Sequence, residues 1–320
     1  MNKQPHKNNN QSNNNQNNNR SKTTGFNSMK STDARSKRSR IAHQTLAILE
    51  AGEYMNGYDR RVQIDVDLQR AIQDSVLYRP TELITLREKR SKEMAQLQPP
   101  AETSTVRIEV TGETTLAAAS RLSVDEGRED VVCLNFASAK NPGGGFLGGS
   151  QAQEESLARA TGLYPCIAQM NEMYDYNRKQ RSCFYSDYMI YSPNVPVIRD
   201  DEDQLLDKYH LAAFITAPAV NAGVVRERED ADDQQIESVM KERIRYILDV
   251  AALQGHRTIV LGAYGCGVFR NDPEKVAKYF HDVLVGEYFR SSFERIVFAV
   301  FDRTAGQKTL KAFEDRLAGD

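Results

Sequence analysis

The sequence predicts an α/β layered fold with a largely parallel central sheet. Three observations lead there. After Pro100, apolar strand-like runs alternate with helical stretches. One run, Val131–Phe136, is almost continuously apolar, as a strand buried on both faces must be. Two glycine-rich loops each follow a predicted strand and precede a helix, and α/β sheets hold their ligands beyond the carboxyl ends of their strands.

Taken in order, the first 20 residues hold ten Asn and three Gln, a tract with too little apolar surface to offset chain entropy. The basic cluster Arg35–Arg40 follows. It reads first as a solubilising tail beside a helix start and second as a weak nuclear or nucleic-acid address. Residues 1–40 are therefore assigned to a disordered tail whose removal should leave activity nearly unchanged. From Arg40, Ala42, Leu46 and Leu49 fall at helical spacing up to Gly52. Val62, Ile64 and Val66 alternate as a short strand. Leu68–Leu77 reads as helix, and Thr81 caps a further helix to Met94. Pro99-Pro100 reads as a linker, so 41–100 is expected to be a helical extension and 101–320 the main domain.

Within that domain, Val106, Ile108 and Val110 have strand period, and Thr114–Leu122 reads as a short helix. Glu154–Leu163 is helical with Pro165 just beyond it. Tyr188–Tyr191, Val195–Ile198, His210–Ala217, Thr258–Gly262 and Arg295–Phe301 read as strands. Asp233–Leu253, Pro273–Val285 and Lys308–Leu317 read as helices.

The net charge of −2 conceals an asymmetry. The first forty residues carry nine Lys/Arg against one Asp, +8, so the remaining 280 carry −10. The whole chain is thus no electrostatic nucleic-acid binder. No apolar run is long enough to span a bilayer, and the polar N-terminus has no signal-peptide core. The four cysteines form no C-x-x-C pair and the histidines no ligand spacing, so neither metal nor redox dithiol is expected. Reduced thiols suit an intracellular protein, cytoplasmic or nuclear.

The chemistry-bearing motifs sit in the two loops. Asn141-Pro-Gly-Gly-Gly-Phe-Leu-Gly-Gly149 is neither a Walker A loop nor a dinucleotide fingerprint. Its backbone N–H groups nevertheless suit phosphate oxygens, although tight turns also use glycine. The second loop, Gly262–Arg270, faces the same problem of holding a ligand, and a diphosphate between two such loops is a good physical fit. Cys266 within it reads as a small buried thiol rather than a nucleophile. Ser150 and Gln153 have capping-box spacing, which would set Glu154 and Glu155 in the first turns of a helix. Acidic residues there are stabilising in themselves. Beside a diphosphate site they also suit glycosidic cleavage, which needs a proton for the leaving oxygen and a carboxylate to activate water.

The run Leu134–Phe146 followed by Gln153-Glu-Glu155 resembles the signature of poly(ADP-ribose) glycohydrolases: three glycines, a short spacer, then Gln-Glu-Glu. The wider context, residues 40–320, is similar to the microbial type. That resemblance implies a macrodomain-like three-layer α/β/α sandwich with a mixed, largely parallel sheet and an N-terminal helical extension. It implies hydrolysis of ribose–ribose bonds in poly(ADP-ribose) and in poly(ADP-ribosyl)ated proteins, exo-acting, with ADP-ribose as product and no cofactor or metal. Glu155 would be the acid/base and Glu154 would hold the distal ribose. Gly143, Gly144 and Gly145 would shape the catalytic loop, with Gln153 and Asn141 beside it. Gly265, Cys266, Gly267, Val268 and Phe269 would form the phosphate loop, Phe269 packing on the ribose. Tyr264 departs from the pattern, standing where another aromatic, often Trp, is expected. A non-catalytic ADP-ribose reader and a mono-ADP-ribosyl hydrolase are the alternatives; a reader has no need of Gln-Glu-Glu.

Overall fold

The computed structural model describes residues 21–96, 106–287 and 289–318. The expected disorder of residues 1–20 and the Pro99-Pro100 linker lie outside them. The elements are, in order, α1 (Ser21–Ala51), β1 (Glu53–Met55), β2 (Arg61–Gln63), α2 (Asp65–Gln73), β3 (Val76–Tyr78), α3 (Pro80–Gln96), β4 (Arg107–Thr111) and α4 (Thr115–Ser120). Then come β5 (Val131–Phe136), α5 (Gln153–Ala160), α6 (Leu163–Ala168), α7 (Asn171–Lys179), β6 (Met189–Arg199) and β7 (Leu205–Ala217). The chain closes with α8 (Ala222–Arg228), α9 (Asp233–Leu253), β8 (Thr258–Leu261), α10 (Pro273–His281), β9 (Arg295–Ala299) and α11 (Lys308–Leu317).

The main sheet runs β3-β6-β7-β5-β8-β9-β4. The pairings from β7 to β4 are parallel, while β3–β6 and β6–β7 are antiparallel. The sheet is therefore mixed and largely parallel, with helices on both faces, as in a macrodomain-like three-layer sandwich. Strand β5 shows why its run had to be apolar. Val132 and Leu134 enter the core under α9, α10 and α11, while Val131 and Cys133 enter the core under α4 to α7. Side chains alternate across a strand, so a strand sandwiched between helices needs apolar residues at both parities.

Several boundaries move. The expected tail does not extend to Arg40: α1 is helical from Ser21, and its visible side chains dock on the glycine loop by polar bonds described below. The segment 41–100 is mainly helical, as expected, but it is not an extension apart from the main domain. Strand β3 pairs with β6 and forms one edge of the main sheet, so no domain border separates it from the rest. Tyr188–Tyr191 and Val195–Ile198 are one strand, β6, interrupted by a register shift at Pro193 and Asn194. Asn194 adopts a left-handed φ of 47° there, which locally breaks the ladder. Pro165 lies in the first turn of α6, where its missing N–H costs nothing. Pro80, not Thr81, opens α3, and the Glu82 carboxylate accepts the Arg79 N–H. No helix among the described residues is long and apolar enough to cross a membrane.

Candidate active site

The glycine loop leaves the carboxyl end of β5 and enters α5. The capping box expected of Ser150 and Gln153 is not formed; Ala152 is the N-cap and makes no side-chain bond. Gln153 instead turns back onto the strand. Its Oε1 accepts the Phe136 N–H at 2.8 Å, and its Nε2 donates to the Leu134 carbonyl at 2.7 Å and to Thr115 at 3.1 Å. The amide is fully used in fixing α5 against β5, so Gln153 is a strut for the two residues that follow it.

Those two have opposite surroundings. Glu154 is buried, 3% exposed. Its Oε2 accepts the Ser138 N–H at 2.7 Å, and Asn135, itself buried on β5, donates toward Oε1 at 3.4 Å. Burial pushes its pKa up to about 8, and the charge of Glu155 adds to the rise, while the Ser138 bond works against it. Glu155 is only partly buried, and its Oε1 accepts the Gly145 N–H at 3.0 Å. Gly144 explains the three-glycine run. It sits at φ +58°, and a Cβ there would collide with Glu155 Oε1 and come within 3.3 Å of Glu154 Oε2. One point is thus flanked by both carboxylates, with loop backbone closed against them. Gly143 lies beside the Phe146 and Tyr164 rings. Asn141 is exposed, held by its N–H to Ser138 Oγ at 3.2 Å, with its side chain turned to solvent.

The loop is clamped from outside by α1. Arg35 Nε donates to the Gly148 carbonyl at 2.8 Å, Arg38 Nε to that of Gly149 at 2.9 Å, and Ser39 Oγ to that of Leu147 at 2.6 Å. Three consecutive carbonyls are thereby satisfied by one helix. Ala42 packs with Phe146 and Ala158 below them. At Gly149, φ +73°, a Cβ would strike the Arg35 backbone oxygen, so only glycine lets α1 approach this closely.

The second loop, from β8 to α10, holds Gly265, Cys266, Gly267, Val268 and Phe269. Asn271 pins its base, donating to the carbonyls of Val220 at 2.8 Å and Gly265 at 3.1 Å. At its tip Val268 is 78% exposed, and the N–H groups of Gly267, Val268 and Phe269 have no acceptor among the described residues. Three consecutive amides are thus left free to donate to a ligand. Burial raises the Cys266 thiol, the reverse of what a nucleophile needs. Phe269 packs against Tyr185 with the rings tilted by 45° and their centroids 5.8 Å apart, and Lys140 Nζ lies over the Tyr185 ring at 5.9 Å. Tyr264 is fully buried against Phe136.

Beside the loops a cavity of about 740 Å³ is lined by Phe136, Ala152, Gln153, Cys266, Gly267 and the segment after β9. Glu154, Glu155 and Phe269 do not line it; they flank it as chain neighbours of Gln153 and Gly267. Phe301 stands in its wall, half exposed, with the Arg303 guanidinium 4.5 Å over its ring. Sequence reasoning missed Phe301, Asn135 and the specific role of Tyr185. Phe301 had no signal of its own: in sequence it is the last apolar residue of the Arg295–Phe301 run, and the structure ends β9 at Ala299. Among the described residues no cluster of His, Cys, Asp and Glu converges as a metal site.

The model of the microbial-type PARG catalytic domain matches residues 42–200. The poly(ADP-ribose) glycohydrolase of Thermomonospora curvata is 43% identical, with a TM-score of 0.82 over 88% of this chain and 99% of that one. The chain belongs to the microbial-type poly(ADP-ribose) glycohydrolases. The Thermomonospora curvata enzyme bound to the inhibitor ADP-HPD is also similar, at 42% identity and a TM-score of 0.80 over the same shares. The Deinococcus radiodurans glycohydrolase in complex with ADP-ribose is 44% identical, with a TM-score of 0.71 over 78% of this chain and 96% of that one. Comparison with curated proteins gives no match. In a glycohydrolase of this family, Gln-Glu-Glu and the three glycines are thus one constructed unit: strut, two carboxylates, and the backbone that closes on them.

Proposed function

We propose that this chain hydrolyses the ribose–ribose bonds of poly(ADP-ribose) and releases ADP-ribose, with Glu155 as the acid/base. The observation that carries the reading is the pairing of Glu155, oriented by the Gly145 N–H, with three open amides on the facing loop. The adenosine end then occupies the cavity against Phe301. The diphosphate lies on the amides of Gly267 to Phe269, and the distal ribose reaches Glu154 and Glu155, steadied by Phe269 on Tyr185. Glu155 gives its proton to the leaving 2′-oxygen as the C1–O bond breaks. The positive charge that develops on the ribose is met by the carboxylate left behind and by the diphosphate. Water then adds to C1 and returns its proton to Glu155, so the acid is regenerated. Glu154, buried and held by Ser138, positions the ribose hydroxyls. Poly(ADP-ribosyl)ated proteins are the natural carriers of such chains, and release proceeds from the chain end.

The test is chromatography of products from purified poly(ADP-ribose). Wild type is expected to release free ADP-ribose and Glu155→Ala none. Binding of ADP-ribose without release by wild type would leave the reader in place; release only from mono-modified protein would favour the mono-ADP-ribosyl hydrolase.

A further inference from the structure

The site has a second side, away from the cavity given to the adenosine end. That cavity reaches Cys266 and Gly267, but neither Phe269, Tyr185 nor Lys140 lines it. Phe269 packs against Tyr185, and the Lys140 ammonium lies over the Tyr185 ring. Gly267, Phe269, Tyr185 and Lys140 thus follow one another outward from the cavity, and Lys140 stands past the rings that steady the distal ribose. The bond to be cut joins that ribose to the 2′-oxygen of the next adenosine. The rest of the chain therefore leaves on the side of Lys140.

Lys140 is held in place by its backbone. Arg178 Nη1 donates to its carbonyl at 2.6 Å, and the same guanidinium is fixed by Asp175 at 2.7 Å. The next residue, Asn141, donates its N–H to Ser138 Oγ at 3.2 Å and accepts the Gly144 N–H at 3.0 Å. Ser138 in turn gives its own N–H to Glu154. One turn, 138–141, thus ties Lys140 to the carboxylates and to the glycine that closes on them. The side chain is half-buried, its stem on the protein and its ammonium over a ring that attracts it without neutralising it. Among the described residues no carboxylate lies within ion-pair distance of it. Asp175 is engaged by Arg178, and Glu229, which faces Tyr185, accepts the Ser182 hydroxyl and the Cys183 N–H. In the cavity, by contrast, Asp200, Asp201, Asp203 and Asp302 match Lys37, Arg38, Arg159 and Arg303.

We propose that Lys140 receives the diphosphate of the leaving unit and so selects a polymer as the leaving group. The inference rests on the proposed function. In that reaction the leaving 2′-oxygen sits at Glu155, and the 5′-diphosphate of the same adenosine is one ribose ring away. An unpaired ammonium pinned beside the catalytic turn suits it as a point charge for phosphate oxygens. When the leaving group is an amino-acid side chain no such diphosphate exists, and the contact is missing. Lys140 is therefore a specificity residue: it favours poly- over mono-modified substrates without touching the reacting bond.

The test uses the full chain, wild type beside Lys140→Gln and Lys140→Arg, and two synthetic substrates. One is ADP-ribose joined to the 2′-oxygen of ADP, the other ADP-ribose joined to the 2′-oxygen of adenosine. The bond and the leaving oxygen are the same, and only the diphosphate of the leaving unit differs. At low salt wild type is expected to show a KM about fivefold lower for the ADP-linked substrate. Lys140→Gln should lose that preference by raising KM for the ADP-linked substrate alone, Lys140→Arg should keep it, and added salt should erase it in wild type. The same preference in wild type and Lys140→Gln overturns the proposal. An equal rise in both KM values, with weaker binding of free ADP-ribose by calorimetry, overturns it too, because the lysine then serves the unit that is released. Wild type that releases no ADP-ribose from purified poly(ADP-ribose) overturns the proposed function itself; release with equal KM for the two substrates overturns the lysine contact alone.

Discussion

Glu155 is aimed by the backbone of Gly145, ten residues earlier in the chain: the carboxylate accepts that N–H at 3.0 Å, while its neighbour Glu154 is bound to Ser138 and buried. Adjacent residues on one helical turn thus have different surroundings. Glu155→Gln keeps the size of the side chain but removes its capacity to exchange a proton. It is expected to lower kcat by about 10²- to 10⁴-fold and to leave ADP-ribose affinity within about threefold. Stopped product release and calorimetry read the two quantities separately. A variant with near-normal kcat would place the acid elsewhere.

Gly144 tests the closure of the loop on that pair. In Gly144→Ala the new methyl meets the Glu155 carboxylate in a left-handed backbone, so the carboxylate must move. Displacement of a reacting group by about 1 Å can cost about 10²-fold in rate. A loss of that order is expected, with Tm lowered by a few degrees and circular dichroism unchanged. Normal turnover would mean that Glu155 has another working position.

Much of this was legible in the sequence because it is local. The β5 run, the α9 helix and both glycine loops are patterns within a few residues, and the motif spacing sets Glu154 and Glu155 in the first turn of a helix. What was not legible depends on distant partners. Residues 33–40 have no apolar stripe, and they order against Leu147, Gly148 and Gly149, more than a hundred residues away. Gln153 fits a capping box by spacing, but the end of β5 offers it an N–H and a carbonyl, and that tertiary demand prevails. Phe301 reads as one more apolar residue of a strand, and only the sheet shows that it lies just past the last strand residue, in a cavity wall.

Glu154 makes stability depend on pH in a stated direction. Its pKa rises from the usual 4.5 to about 8, first through burial. Between those values the folded chain holds a proton that the unfolded chain has lost, so unfolding free energy falls as pH rises through this window. Glu154→Gln is neutral throughout and removes that slope. The Tm of the ligand-free variant relative to wild type should therefore increase from about pH 5 to about pH 8, by a few degrees in all. Asp249, also raised by burial, to about 6, is common to both proteins and cancels. Parallel Tm curves would show that Glu154 ionises freely in the fold.

The start of α1 bonds the glycine loop, which raises the question of whether that loop holds itself. Gly145 and Ser150 bond within the loop, since the Ser150 N–H donates to the Gly145 carbonyl at 3.1 Å, and this alone would make residues 1–40 dispensable. Against it stand the bonds from Arg35, Arg38 and Ser39 to three successive carbonyls, each worth about 1 kcal/mol when both partners are ordered. A chain beginning at Ile41 loses all three while retaining Ala42 against Phe146. The carbonyls return to water, and the segment that carries Gly145 toward Glu155 loosens. Turnover on a two-unit oligomer, which reads the loop rather than the outer chain, is expected to fall about tenfold. Arg35→Met with Arg38→Met should reproduce most of that loss, because it removes two of the three donors and keeps the helix. If the shortened chain turns over normally while the double variant does not, the methionines are disturbing the loop and the native arginines are not holding it. If both fall together, the clamp is the cause.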